Sequence, residues 1–480
     1  MKRRPLRTAR LLKGWTIERA AEELKVGRST ILRWEQGASR PFPHNIETLC
    51  RVYGASAEEL GLEEPDSYAT AQPARQQEGP AQAAGRLAVV TGQHLEARLH
   101  CVIYDWLYSR RPSWLLTRLQ QRLSCEIESY DTMKQQDHPN HAGIDEGRRA
   151  ALRTLALIPI QALGLGAIAT GMQCSWKAQE VLTHCAAGVT ACYHLAKGQH
   201  EDIALASEVI SAYLPALRKI VKESSLSRQE AAHLLAQCFL LLARLSKHKE
   251  GPQHAAGYAQ QALSYAEESR DLALQLVILH ELGWLSICNK QPVQALNAAL
   301  QAQHLLEHAT TPVPSLIRSK VYAGVAEGQA VNHQQQGALT TLSRMHEVLA
   351  DTKCDEDLLY AEFSGPSFYE GLTCYLLGQY NTAFDAFGRI VDMETQALKL
   401  PVASERVYIQ VINYMALSAL KRPNKDKEQI VPLWMAGMQG ARNLRSEQRY
   451  GEALMAYSIM EALWSDDPRI RDLRDLTGHW

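Results

Sequence analysis

One alanine recurs at a nearly constant interval in the second half of this 480-residue chain. A small residue stands twelve positions before each alanine, and an apolar residue precedes that small residue in three of the four cases. An apolar or small residue stands four positions after each alanine. The four alanines lie 40, 43 and 45 residues apart, at Ala255, Ala295, Ala338 and Ala383. Periods of this length are typical of stacked helical units, each of which buries its apolar face only against its neighbours. The spacing of these alanines therefore predicts a helical-repeat structure in this part of the chain.

The rest of the chain beyond about Thr91 has the same helical character, with no β-type alternation and with turn signals every 15–20 residues. The clearest repeat contains Gly371, Gly378, Ala383 and Phe387, and it resembles a tetratricopeptide repeat. Because the period exceeds the 34 residues of that family, helices or loops must be longer. We predict an all-α fold with a long α-solenoid of such hairpins over 226–480, preceded by a helical domain over 93–225 that could contain degenerate repeats.

A solenoid of this kind has a concave surface, and such grooves bind peptides or protein segments. The body is therefore predicted to bind a peptide or protein effector, while a scaffold that only dimerises is the alternative. Six polar residues of the repeats could line the groove, although they do not by themselves define a site: His280, Asn289, Asn297, Gln329, Asn332 and Asn381.

The N-terminus differs from the body in charge. Residues 1–40 hold eleven Lys and Arg against four Glu, whereas the whole chain carries a formal charge of −1. A basic module on a mildly acidic body indicates a polyanionic partner. Capping residues and glycines predict five short helices within residues 1–65, and Thr16 is expected to cap the second of them.

The second and third of these helices have helix-turn-helix spacing. Ala20 and Ala21 are small where the two helices must approach closely. The third helix, over 28–35, has an apolar face that begins at Val26 in the turn and continues with Ile31 and Trp34. Its opposite face carries side chains suited to base edges in a major groove, since guanidinium groups match guanine acceptors. They are Arg28, Ser29 and Arg33.

The string LRTARLLKGWTIERAAEELKVGRSTILRWEQGASRP resembles the phage repressor/Cro-type family, also called the xenobiotic-response-element family. The resemblance implies a five-helix, lambda-repressor-like DNA-binding domain that acts as a homodimer, because one module reads only a half-site. It implies base reading by Arg28, Ser29 and Arg33, a phosphate contact through the backbone N–H of Ile17, and a packing or phosphate role for Thr30. It also implies a backbone or minor-groove contact by Arg40 and a structural ion pair between Arg10 and Glu35.

Residues 66–92 are rich in Ala, Gln, Gly and Pro and show no apolar period in most of their length. This composition predicts a flexible linker between the DNA-binding domain and the body.

Other classes of protein are disfavoured by what the sequence lacks. The ten cysteines form no CxxC pair, which is typical of a reducing cytoplasm. Cys185 and Cys192 lie on one helix face beside His184, where core packing is favoured over a thiol or metal site. No phosphate loop, metal-spaced cluster or nucleophile elbow was found, so no catalytic residue, cofactor or metal is expected. The longest apolar run, 156–172, is too short to span a membrane.

The sequence thus predicts a cytoplasmic, sequence-specific DNA-binding transcription regulator with an effector-binding body. The alternative is a scaffold or autoregulatory DNA-binding component of a larger assembly, such as a phage-defence or toxin-control complex.

Overall fold

The computed structural model describes residues 6, 9–10, 13, 15–24, 26, 31, 34–35, 41, 43–53, 60, 62, 80–108, 116–137, 141–163, 178–350, 358–400 and 402–478. The chain divides into two compact units, Met1–Glu78 and Gly79–Trp480. The described residues form α-helices and a final 3-10 helix but no β-strand; the β-type pairing among them is an isolated bridge between Val391 and Leu398. The predicted all-α fold class is confirmed.

The N-terminal unit contains two helices with described bounds, and the body contains seventeen. The former are α1 (Ile17–Glu23) and α2 (Pro43–Tyr53). The body begins with α3 (Pro80–Tyr108), α4 (Leu116–Asp137), α5 (His141–Leu163), α6 (Ala178–Leu195) and α7 (His200–Glu223). It continues with α8 (Arg228–Lys249), α9 (Pro252–Ser269), α10 (Leu272–Cys288), α11 (Pro292–Glu307), α12 (Ser315–Val331) and α13 (Gln335–Ala350). It ends with α14 (Pro366–Leu376), α15 (Tyr380–Gly388), α16 (Glu405–Lys421), α17 (Lys427–Asn443), α18 (Glu447–Leu463) and α19 (Pro468–Asp472), before the 3-10 helix Leu473–Thr477.

Helix α3 begins inside the segment predicted as a flexible linker. Residues 80–92 are helical, so the linker expectation for 66–92 differs from the structure in its second part, while 66–79 lie outside the described residues. The reason is physical: Pro80 stands at the first helical position, where its missing N–H costs nothing. The alanines and glutamine that follow are good helix formers, so composition alone misassigned them.

The expected domain boundary between residues 225 and 226 does not divide the described body. One apolar core contains Leu95 in α3 and Tyr213 in α7, and it continues through Leu241 in α8 to Ala361. The helices of 93–225 therefore pack directly on the first repeats instead of forming a separate domain.

The recurring alanines occupy one equivalent position in the helical-repeat body. Each is the fourth residue of the second helix of a hairpin, in α9, α11, α13 and α15, and each is at most 1% exposed. They are Ala255, Ala295, Ala338 and Ala383. The short side chain lets the second helix lie against the first without a gap, which explains why the repeat was visible as a spacing of alanines.

Three of the hairpins share the same turn between their helices. Lys290, His333 and Gly378 have positive φ angles of 57°, 60° and 77° and stand five residues before the recurring alanine. The next residue in each turn donates its N–H to the carbonyl five positions earlier, at 2.9, 2.9 and 2.8 Å. This is the hydrogen-bond pattern of a left-handed helix C-terminus, for which glycine is the favoured residue. Only one of the three turns has a glycine.

The array of hairpins curls back on itself. The end of α8 contacts the start of α18, where the His248 Nδ1 and Ser446 Oγ atoms are 2.7 Å apart. These residues are 198 positions apart in the sequence. The first helices of successive hairpins consequently surround a common centre, and this centre contains a cavity.

Candidate functional site

The start of α1 has the capping arrangement expected from the sequence. The hydroxyl of Thr16 accepts the backbone N–H of Arg19 at 3.2 Å. Ile17, the first residue of α1, is half-buried and packs on the apolar core of the N-terminal unit. Its side chain is therefore committed to packing, which leaves the backbone N–H as the group it could offer to a phosphate.

The turn that follows α1 places two helical segments on a shared core. Ala20 is fully buried, and Ile31 and Trp34 are 2% and 3% exposed. Val26 is half-buried and donates its N–H to the Ala21 carbonyl at 3.0 Å. The apolar face predicted for the third helix thus lies in the core.

Arg10 and Glu35 form a buried, bidentate ion pair inside this unit. Arg10 Nε lies 2.6 Å from Glu35 Oε1, and Arg10 Nη2 lies 3.1 Å from Oε2. Arg10 Nη1 also donates to the Trp15 carbonyl at 2.8 Å, so the guanidinium joins three segments of the unit. Burial and the charge of Glu35 raise the pKa of neighbouring Tyr53 to about 12. Arg10 and Glu35 are 5% and 7% exposed, so the pair is enclosed within the N-terminal unit.

Five of the predicted DNA-contacting residues lie outside the described residues, so their positions remain expectations from the sequence. They are Arg28, Ser29, Thr30, Arg33 and Arg40.

The body contains a second candidate site, a cavity of about 90 Å³ at the centre of the curled array. It is called the central pocket below. Each of the six first helices, α8, α10, α12, α14, α16 and α18, supplies at least one lining side chain. One from each, in that order, are Arg244, Glu281, Lys320, Tyr369, Arg406 and Arg449.

The described lining of the central pocket is rich in buried charge. Five cations and three carboxylates face it. The cations are Arg244, Lys247, Lys320, Arg406 and Arg449, and the carboxylates are Glu281, Glu327 and Glu362. Groups of this kind are almost never buried unless they are paired or bind something.

Two of the carboxylates are paired. Glu281 Oε1 lies 2.7 Å from Lys247 Nζ, and Glu281 Oε2 lies 3.5 Å from Arg244 Nε. Burial opposes ionisation of Glu281, but the two cations outweigh it and lower its pKa to about 2. Glu362 Oε2 lies 3.6 Å from Arg244 Nη1, and its pKa is also lowered, because the Arg244 charge outweighs the effect of burial.

The third carboxylate, Glu327, is not held by a cation. It is 2% exposed, and burial raises its pKa to about 8, with Lys320 opposing the effect only in part. Burial likewise lowers the pKa of Lys320 to about 7, and the neighbouring Arg244 adds to this. At neutral pH Glu327 is therefore mainly protonated, and the central pocket has an excess of positive charge.

The three arginines are anchored on one side and open on the other. Arg244 Nη2 donates to the Tyr360 carbonyl at 2.9 Å, Arg449 Nη1 donates to Glu452 at 2.8 Å, and Arg406 Nη2 donates to the Ala196 carbonyl. Arg244 Nη1, Arg406 Nη1 and Arg449 Nε are buried without a hydrogen-bond partner. The guanidinium groups are thus oriented by the fold while part of their donor capacity stays unused.

Among the six polar residues singled out from the repeats, only His280 lines the central pocket. The others with described contacts bridge neighbouring helices. Asn289 and Asn332 donate to the carbonyls of Pro252 and Pro292, at 3.3 and 2.7 Å, and so tie each hairpin to the preceding one. Gln329 accepts from Thr341 at 2.9 Å, and Asn381 accepts from Arg422 at 2.8 Å. These residues therefore stabilise the repeat array.

The cysteines near His184 form part of the core. Cys185 and Cys192 are fully buried, and burial raises the pKa of both thiols. A thiol in this state is a poor nucleophile and a poor metal ligand. Within the described part of the chain, no group of His, Cys, Asp and Glu side chains could hold a metal ion.

Comparison with known proteins bears on the N-terminal unit alone. Residues 3–62 match a family described as a helix-turn-helix domain. This match supports a DNA-binding helix-turn-helix regulator, and it covers 60 of the 480 residues. No curated protein matches the chain. Among the helices described, none has both the length and the apolar character that crossing a membrane requires.

Proposed function

We propose that this protein is a sequence-specific transcription regulator of the phage repressor/Cro type, whose helical-repeat body binds an effector in the central pocket. The helix-turn-helix match over residues 3–62 is the observation that carries the regulatory part. The effector part is supported by the convergence of six helices on one cavity, since a ligand there contacts every hairpin and can alter their stacking.

The body is proposed to be a tetratricopeptide-like solenoid. Its support is the equivalent position of the four recurring alanines and the turn shared by three hairpins. A peptide or protein effector is the class that such grooves accommodate.

DNA reading is assigned to the third helix of the N-terminal unit, with Arg28 and Arg33 contacting base edges, Ser29 assisting, and Ile17, Thr30 and Arg40 positioning the backbone. Loss of one bidentate guanidinium–guanine contact costs about 1–3 kcal/mol of discrimination. Genomic footprinting of the full chain first locates the operator. The Arg28→Ala/Arg33→Ala protein is then expected to lose its preference for operator over random duplex.

A matched control for this experiment is Arg51→Ala, which removes one exposed positive charge from the end of α2 in the same unit. It should leave the preference for the operator unchanged. A double variant that still footprints the same operator would show that the recognition helix has been assigned wrongly.

A homodimer is proposed because one helix-turn-helix module covers only a half-site. Light scattering of the free protein and of its operator complex tests this, and a monomer in both states contradicts it. Stable co-purification of a partner protein, with operator affinity insensitive to peptides, would instead favour the assembly-component alternative.

A further inference from the structure

The unused hydrogen-bonding groups of the central pocket are mostly donors. Arg244, Arg406 and Arg449 each have a buried nitrogen that donates no hydrogen bond, although Arg244 Nη1 lies 3.6 Å from Glu362 Oε2, and the amide nitrogen of Gln410 likewise donates none. These four residues are between 1% and 8% exposed. The unpartnered acceptors on the same lining are Glu327 Oε1, whose carboxyl is mainly protonated at neutral pH, and one ring nitrogen of neutral His280, whose other nitrogen is a further donor. A buried donor without a hydrogen bond costs free energy, so a ligand with several acceptor atoms is favoured.

The charge balance points to the same kind of ligand. Burial holds Glu327 largely neutral and lowers the pKa of Lys320 to about 7, so neither group carries a full charge at neutral pH. The remaining cations are more numerous than the remaining carboxylates, even when the pairing of Arg449 with Glu452 is counted; they are Arg244, Lys247, Arg406 and Arg449 against Glu281 and Glu362. His248 and His280 also line the pocket, and burial lowers the pKa of both well below the usual range, so neither adds charge at neutral pH. Uncompensated positive charge in a buried cavity is expensive, and an anion relieves the cost.

The size and the apolar walls limit what the anion can be. The cavity leaves about 90 Å³ in which the centre of a water molecule can lie, which is room for a ligand of several non-hydrogen atoms. Trp284, Phe368 and Tyr369 line it beside the cations. A bare inorganic ion would make no apolar contact with these side chains. A carboxylate with a few attached carbon atoms can pair with the cations and also contact the aromatic rings.

We propose that the central pocket is a carboxylate-binding site, in which Arg244, Arg406 and Arg449 hold the carboxylate and Trp284, Phe368 and Tyr369 contact a short hydrocarbon group. This inference rests on the proposed function, because it names the chemistry of the group that the body recognises. The carboxylate comes from either a small free acid or the C-terminal residue of a peptide.

Titration calorimetry on the full chain tests the site directly. The probes are 3-methylbutanoate, its uncharged analogue 3-methylbutanamide, and inorganic phosphate. The acid is expected to bind at least tenfold more tightly than the amide and more tightly than phosphate. Equal affinity for acid and amide, or no binding of the acid up to about 10 mM, overturns the proposal.

Two pocket variants and a control locate the binding. Arg406→Gln removes a guanidinium but also its bond to the Ala196 carbonyl, so its fold must be checked by thermal unfolding. Gln410→Leu removes an amide whose nitrogen has no hydrogen-bond partner, and it should weaken acid binding at least threefold in a folded protein. Arg218→Gln changes an exposed guanidinium on α7, away from the pocket, and should bind the acid like the unmodified chain. Unchanged binding by both pocket variants contradicts the assignment.

The source of the carboxylate is decided by comparing the dipeptide Ala-Val with Ala-Val-amide. Binding of the free dipeptide, but not of its amide, assigns the site to a peptide C-terminus, and binding of 3-methylbutanoate alone assigns it to a free acid. Operator affinity measured with each probe keeps the two proposals separate. If the acid binds without changing operator affinity, the carboxylate site stands and effector control fails. If an amidated peptide shifts operator affinity and no acid binds, the reverse holds.

Discussion

A close helix–helix approach in the repeats that a single methyl group can test is at Gly371 in α14. A Cβ atom added there would lie 2.5 Å from Phe387 Cε1 and 2.7 Å from Cδ1 and Cζ. Phe387 in α15 is fully buried, so its ring has no solvent into which it can move. Gly371→Ala must therefore displace the ring or separate the two helices.

The magnitude follows from two opposing effects. Replacing a helical glycine with alanine stabilises by about 0.5–1 kcal/mol, because glycine loses more backbone entropy on folding. Adding a methyl group to a filled core costs about 1–3 kcal/mol. Gly451→Ala in α18 is the matched control, since a Cβ there meets nothing within 4 Å. The free energy of unfolding of the two variants should differ by about 1–3 kcal/mol, with Gly371→Ala the less stable.

Urea unfolding of the full chain, followed by far-ultraviolet circular dichroism, measures this difference. Phe387→Leu should relieve the clash, so the double variant with Gly371→Ala should be more stable than the sum of the two single changes by about 0.5 kcal/mol or more. Gly371→Ala and Gly451→Ala having equal stability within about 0.5 kcal/mol would refute the close nesting of α14 and α15.

Three further predictions concern other parts of the chain. Arg10→Ala leaves Glu35 buried without its partner and should destabilise the N-terminal unit by about 3–5 kcal/mol; hydrogen exchange should then show loss of protection in this unit with the body unchanged. Lys290→Gly and His333→Gly relieve positive φ angles and should each raise the free energy of unfolding by about 0.5–1 kcal/mol, whereas Lys290→Ala should not. Glu327 has a folded-state pKa of about 8 against 4.5 in a free side chain, so the unfolded chain binds fewer protons between these values and the protein loses stability as pH rises through that window. Glu327→Gln removes this loss, so its stability relative to the unmodified chain should increase from pH 5 to pH 8 by at most about 4 kcal/mol; a difference that stays constant over this range would contradict the assignment.

The features that could be predicted from the sequence arise from interactions between residues that are close to one another along the chain. Thr16 caps α1 through a hydrogen bond to a residue three positions away. The recurring alanines mark equivalent contacts within successive hairpins, so a simple spacing revealed them. The burial of Ile31 and Trp34 follows from helical periodicity. Fold class and the position of the helix-turn-helix domain were therefore accessible without coordinates.

The central pocket was not accessible in this way. Its arginines stand at positions 244, 406 and 449, and in the sequence each looks like an ordinary charged residue of an amphipathic helix. What makes them a cluster is the curvature of the array, which brings α8 against α18. That curvature is the sum of small rotations between hairpins, each set by side-chain packing at one interface. Local sequence thus determined which helices form and how each pair is joined. Only the accumulated packing of all the pairs decided which of their charges meet, because no single interface contains that information.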